Sequence, residues 1–209
     1  MKIGILGGGN VGGTLGEGWA KYGHEVCFGV RNPDAEELKK TLARMAGRGQ
    51  ASTTAAAVEF GEIVVNALPW PATKSVLSAL DVKGKVLLDC TNPLMENLAG
   101  LEVGTTTSGG EMVAGWANGA RVVKIFNTTG YSNMANPTYH GKAMQMFYCG
   151  DDTAAKHSAA ALAHQLGFDP IDAGPLTNAR LLEPLALLWI WLAVFGGVGR
   201  DFSFQIVKR

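Results

Sequence analysis

Gly7, Gly9 and Gly12 stand in a Gly-x-Gly-x-x-Gly spacing between an apolar run, Lys2-Ile3-Gly4-Ile5-Leu6, and a helical pattern of Val11, Leu15, Trp19 and Ala20. Bare amides at the start of a helix can hold anionic phosphate groups. Gly7 permits the tight turn, Gly9 lets the backbone approach the phosphates, and Gly12 lets helix and strand pack closely. With Asn10 and Val11 they form a loop suited to a dinucleotide pyrophosphate. The turn at Gly23-His24-Glu25-Val26 leads into a second apolar strand, completing a βαβ unit in about 30 residues. That strand ends in Phe28-Gly29-Val30-Arg31-Asn32, with one guanidinium and no carboxylate. A carboxylate there would grip both ribose hydroxyls of NAD, whereas a cation suits the 2′-phosphate of NADP. The residues therefore predict NADP(H).

Three further loops are polar or Pro-rich: Ala67-Leu68-Pro69-Trp70, Thr91-Asn92-Pro93 and Asn127-Thr128-Thr129-Gly130. Each follows an apolar strand-like run, at the end of a sheet where ligands of doubly wound folds lie. Ala67, Leu68, Pro69, Asn92, Asn127 and Thr128 are thus candidate walls for the nicotinamide end. Acid/base machinery for alcohol oxidation is not evident. No Tyr is followed four positions on by Lys, and Tyr139 and Lys142 are three apart in a Pro- and Gly-flanked loop. No catalytic residue can be named. Hydride transfer between two ring systems needs little of that machinery; it needs rings about 3 to 3.5 Å apart and water excluded.

These loops must be positioned by alternating strands and helices. Helices are expected at 34–45 and 72–80, at 108–117 behind a Ser108-to-Glu111 capping box, and from an Asp151 cap to about 166. Strands are expected near 50–53 and at 62–67, 85–89, 121–126, 143–148 and 168–171. The alternation predicts an α/β, Rossmann-type, doubly wound, mainly parallel sheet spanning residues 1–175. Residues 176–209 differ: a long apolar helix to about 195, then alternation over 202–206 that reads as an edge strand. They are expected to form a small C-terminal appendage closing the cofactor cleft.

Lys plus Arg equals Asp plus Glu at 18 each in 209 residues, which argues against a nucleic-acid partner or a membrane surface. Cys27, Cys90 and Cys149 lie in apolar runs and share no ligand spacing with one another or with a His, so no metal site is expected. A strand beginning at Lys2 leaves no room for a leader, and the unpaired thiols suit a reducing compartment; the expectation is cytoplasmic. Residues 184–199 are uncharged but shorter than the roughly 20 residues of a spanning helix. Such a helix is buried by its own domain or by a partner subunit.

The blocks Asn66-Ala67-Leu68-Pro69-Trp70-Pro71, Leu88-Asp89-Cys90-Thr91-Asn92-Pro93-Leu94, Val123-Lys124-Ile125-Phe126-Asn127-Thr128, Cys149-Gly150-Asp151-Asp152, Asp172-Ala173-Gly174-Pro175-Leu176 and Ala179-Arg180-Leu181-Leu182-Glu183 follow the opening unit in order. Together they resemble the NADP oxidoreductases dependent on the deazaflavin coenzyme F-420, and the cytosolic domain of the six-transmembrane metalloreductases. The resemblance implies NADPH binding, hydride transfer to a small-molecule redox acceptor, and a homodimer. Carried over by position, Gly7, Gly9, Asn10, Val11 and Gly12 would hold the pyrophosphate, and Arg31 with Asn32 the 2′-phosphate. Trp70, Thr129 and Arg180 would face the second cofactor. Deazaflavin-using members carry Ser, His and hydroxyl residues where this chain has Val30, Asn127, Pro184 and Ala186, which keeps FMN and FAD beside F-420 as acceptors. The alternatives are a non-enzymatic NADP(H) sensor and a Rossmann imine or hydroxyacid reductase.

Overall fold

The computed structural model describes all residues, 1–209. Its first half runs β1 (Lys2–Leu6), α1 (Asn10–Lys21), β2 (Glu25–Gly29), α2 (Glu36–Ala43), β3 (Gly49–Ser52), α3 (Thr54–Phe60), β4 (Ile63–Asn66), α4 (Trp70–Leu77) and β5 (Val86–Asp89). Then come α5 (Gly109–Trp116), β6 (Arg121–Lys124), α6 (Tyr131–Ala135), a small hairpin of β7 (Thr138–Tyr139) and β8 (Lys142–Ala143), and β9 (Gln145–Gly150). The chain closes with α7 (Thr153–Gln165), β10 (Asp169–Asp172), a 3-10 turn (Leu176–Asn178) and α8 (Ala179–Val194).

Eight strands form one sheet in the order β10-β9-β6-β5-β4-β1-β2-β3. Every neighbouring pair is parallel except β6 with β9. The chain order reverses between β1 and β4, which places the switch point beside the Gly-rich turn. Alternate strand residues divide the core. Ile3, Ile5, Val26, Phe28, Val65 and Leu88 pack with Leu15 and Trp19 of α1 and Leu162 of α7. Leu6, Val64, Leu87 and Val122 pack with Val58, Leu77, Val113 and Leu182 on the other face. The Rossmann-type expectation stands.

Several local expectations are corrected. Asp152, not Asp151, caps α7, its carboxylate accepting from Ala155 N at 2.7 Å, while Asp151 accepts from Leu176 N at 2.9 Å. Helix α4 begins at Trp70, because Pro71 fits the first helical turn, where no amide donor is needed. Residues 202–206 join no sheet. Instead Phe202 stacks on Trp189 with ring centroids 5.3 Å apart, and Trp189 Nε1 donates to Phe202 O. The alternation there reflects aromatic packing on α8. No helix is long and apolar enough to cross a membrane.

Candidate active site

A cleft of about 690 Å3 opens along the carboxyl ends of β1, β2 and β4, within the usual range of small-ligand sites. Gly7, Gly9, Asn10, Val11, Arg31, Asn32, Ala67, Leu68 and Pro69 all line it. The structure thus brings the Gly-rich loop, the cation and one of the three candidate walls to a single cavity. Sequence reasoning missed Thr54 at the start of α3 and Ser75 in α4, which face the same space. Only the parallel register places those helices there, so no local signal marks them.

The loop's glycines serve different ends. Gly7 has φ +101°, and a Cβ on it would lie 2.6 Å from the Ala67 carbonyl oxygen. Gly12 does not line the cleft; a Cβ there would fall 2.1 Å from Gly7 O, so the position serves helix–strand packing. Gly9 has φ −78°, which any residue adopts, and a Cβ on it would meet nothing within 4 Å. The fold makes no demand for glycine at position 9. No side chain caps the first amides of α1, so the donors of its first turn are left for an anion.

Arg31 is exposed, and none of the chain's eight ion pairs uses it. Glu37 lines the same cleft but is bound to Lys40 Nζ at 2.7 Å, and that lysine holds its carboxyl below the usual range. Asn32 Oδ1 accepts from Asp34 N at 3.1 Å, an Asx turn that fixes the loop bearing Arg31.

Beyond Pro69 the walls are more committed than the sequence implied. Asn92 Nδ2 donates to Asn127 O at 2.9 Å, and Asn127 Nδ2 donates to Asn92 Oδ1 at 3.0 Å and to Leu182 O at 3.3 Å. Asn127 and Thr128 are buried, and neither they nor Asn92 line the 690 Å3 cleft. The preceding Phe126 has φ +61°, a costly conformation for a bulky residue, held by edge contacts with Trp19 and Phe168. It turns the chain sharply at the end of β6.

Trp70, Thr129 and Arg180 are not gathered into one pocket. Trp70 Nε1 donates to Glu102 Oε2 at 2.8 Å and its ring lies against Trp116 near the end of α5. Arg180 forks onto Glu111 near the start of α5, at 2.8 and 2.6 Å, so it presents no free cation to an acceptor. Thr129 is buried and accepts from Asn133 Nδ2.

Tyr139 and Lys142 sit opposite each other in the β7–β8 hairpin. Burial, reinforced by Asp201, pushes the Tyr139 phenol up to about 12, which does not suit it to proton transfer near neutrality. The three cysteines are buried and unpaired, and burial raises each thiol, Cys149 to about 12. No group of His, Cys, Asp and Glu is arranged to hold a metal. Among residues the sequence reasoning missed, the largest set is a buried row of Asn66, Asp89 and Lys124 closed by Glu183.

Comparison with known proteins identifies the family. Residues 2–93 match the family model of NADP oxidoreductases that are coenzyme F420-dependent. The chain is 30% identical over 209 residues to the F420-dependent NADP reductase of Methanothermobacter marburgensis, covering 93% of each. It is 31% identical over 194 residues to the rat metalloreductase STEAP3, but spans only 38% of that protein's length. The crystal structure of a putative F420-dependent NADP-reductase from Arthrobacter sp. FB24 superposes with a TM-score of 0.89 at 32% identity, covering all of both chains. A reductive aminase from Aspergillus terreus in complex with NADPH superposes with a TM-score of 0.66 at 21% identity, covering 94% of this chain and 62% of that one, and shows the fold alone.

Proposed function

The chain belongs to the coenzyme F-420-dependent NADP oxidoreductases, and from that premise we propose that it binds NADPH along the 690 Å3 cleft and passes its hydride to a flavin-type ring: F-420, FMN or FAD. The observation that carries the reading is the open space at Gly9, beside uncapped α1 amides and in the same cleft as an unpaired Arg31. The pyrophosphate would lie on the amides of residues 9–11 and the 2′-phosphate on Arg31 and Asn32. Leu68 and Pro69 would then bound the nicotinamide, with the paired Asn92 and Asn127 setting the depth of the cleft beyond them.

When bound, NADPH would supply a hydride, two electrons, from C4 of its nicotinamide to the acceptor ring, leaving NADP+, and the reduced ring would take its balancing proton from bulk water after the transfer. The chain's contribution is alignment and exclusion of water, which is why raised, buried Tyr139 and thiol groups are no obstacle. The test is NADPH oxidation followed at 340 nm with F-420, FMN and FAD supplied in turn. Turnover with one of the three is expected. Tight NADPH binding without turnover on any would make the protein a nucleotide sensor, and turnover with an imine or keto acid instead would overturn the proposal.

The same reading includes a second copy of this chain as partner. On α8 and its C-cap, Leu181, Leu188, Trp191 and Phe195 are 66%, 47%, 52% and 56% exposed, at helical spacings of seven, three and four. With Val194 and Val198 they present on the order of 600 Å2 of apolar side chain, near the roughly 800 Å2 per partner of a standard interface. An uncharged stripe of that size needs no complementary charge, so a two-fold copy of itself is a sufficient cover. Trp191→Asp should shift the protein from dimer to monomer in light scattering with little change in NADPH affinity. A monomeric wild type would remove this partner.

A further inference from the structure

The carboxyl ends of three neighbouring strands carry a polar row that the nucleotide cleft does not use. In the sheet register Asn66 of β4 lies beside Asp89 of β5, and Asp89 beside Lys124 of β6. All three are fully buried, as is Glu183 of α8. Lys124 Nζ is ion-paired with Asp89 Oδ2 at 2.5 Å and with Glu183 Oε1 at 2.9 Å, and it donates a hydrogen bond to Thr91 O at 2.8 Å. Asp89 Oδ1 accepts from Asn66 Nδ2 at 2.9 Å, Thr91 N at 3.2 Å and Thr91 Oγ1 at 2.8 Å. Glu183 accepts from Gly109 N and Gly110 N, both at 2.8 Å, at the start of α5. The row's one excess negative charge therefore rests on the positive end of that helix. Burial works against the Lys124 ammonium, but Asp89 and Glu183 outweigh it and hold the group charged.

Stability alone does not call for such a row. Two carboxylates and an ammonium lose their hydration here, a cost that apolar residues of equal volume would not carry. What hydrogen bonds of fixed length and direction add is placement. Each member stands just ahead of a candidate wall: Asn66 before Ala67-Leu68-Pro69, Asp89 before Thr91-Asn92, and Lys124 three residues before Asn127. Asn127 is itself bonded to the carbonyl of Leu182, the neighbour of Glu183. One buried cation thus joins the roots of three loops to α8.

We infer that Lys124 is a positioning residue for the nicotinamide end of the cleft, holding β4, β5, β6 and α8 in the arrangement that sets the nicotinamide ring against its acceptor. Its effect on rate rests on the hydride-transfer reading above; its effect on the bound ring does not.

The test compares wild type with Lys124→Met and with the doubly substituted Asp89→Asn/Lys124→Met, which removes one of the two carboxylates that lose their cation, the other, Glu183, keeping the Gly109 and Gly110 amides. Three quantities are measured: NADPH affinity, the fluorescence anisotropy of bound NADPH, whose nicotinamide is the fluorophore, and the single-turnover rate of hydride transfer to the acceptor. Affinity should stay within about threefold, because the phosphate contacts lie elsewhere. Anisotropy should fall as the ring loosens, and the rate should drop about a hundredfold, the scale expected for a misplacement near 1 Å. A folded variant with wild-type anisotropy and rate would overturn the inference, as would failure of both variants to fold, which would assign the row to stability alone. Should wild type reduce no flavin-type acceptor, the function proposed above falls, while the anisotropy comparison still decides the role of Lys124.

Discussion

Gly9→Val should fold and lose NADPH. A valine at position 9 meets no protein atom at its Cβ within 4 Å, and its φ of −78° is an ordinary one. The remaining folding cost is that Val is a poorer helix N-cap than Gly, on the order of 1 kcal/mol or about 2–4 °C in melting temperature for a chain this size. The branched side chain would instead occupy the space through which a pyrophosphate approaches the amides of α1. Affinity for NADPH and for NADH should both fall by at least a hundredfold in calorimetry. The contrast with Gly12→Val sharpens the reading. A Cβ at Gly12 would lie 2.1 Å from Gly7 O, so that variant should melt early whatever the ligand. Undiminished binding by Gly9→Val would mean that the loop does not hold the nucleotide.

The difference between these glycines also shows what the sequence could and could not convey. The strand, turn and helix around Gly7, Gly9 and Gly12 were legible because each requirement is local. The close approach at Gly12 and the positive φ at Gly7 are consequences of that same short unit. Arg31 was legible for a related reason: its strand ends where the second β-strand of such a unit must end. The row of Asn66, Asp89 and Lys124 was not. Each is one polar residue at the end of an apolar run, indistinguishable from any strand that finishes near a turn. Their adjacency depends on register between strands more than twenty residues apart. One signal was present. Glu183 is the sole carboxylate of a helix whose residues after it are all uncharged, and such a group needs a buried partner. Following that demand from α8 leads directly to Lys124.

The pairing of Arg180 was hidden in a similar way. At the head of an apolar helix it reads as a cation free for a ligand, but the Ser108-to-Glu111 cap places a carboxylate opposite it. Arg180 and Glu183 lie one turn apart and bind opposite chemical partners on the same helix, α5: Arg180 takes the Glu111 side chain, Glu183 the Gly109 and Gly110 amides. Helix α8 is thereby seated by charge along one side, while its apolar stripe is left outward. The division lets one helix pack firmly on α5 and still leave an apolar face uncovered.

Choice between nucleotides should rest on far fewer groups than binding does. Arg31→Ala should weaken NADPH by roughly 2 to 3 kcal/mol, the scale of charge-assisted contacts to phosphate, and leave NADH little changed. Because Arg31 is exposed, the preference it confers should shrink as salt is raised, whereas the contribution of the α1 amides should persist. Glu37 lines the same cleft from α2, not from the end of β2 where a ribose-binding carboxylate would stand. Arg31→Asp supplies one on the strand end where such a group acts, and it should both repel the 2′-phosphate and grip the ribose hydroxyls of NADH. Inversion of the NADPH-to-NADH affinity ratio in that variant is the expected outcome. Equal losses for both nucleotides in Arg31→Ala would place the 2′-phosphate elsewhere and leave the cleft's cation without its role.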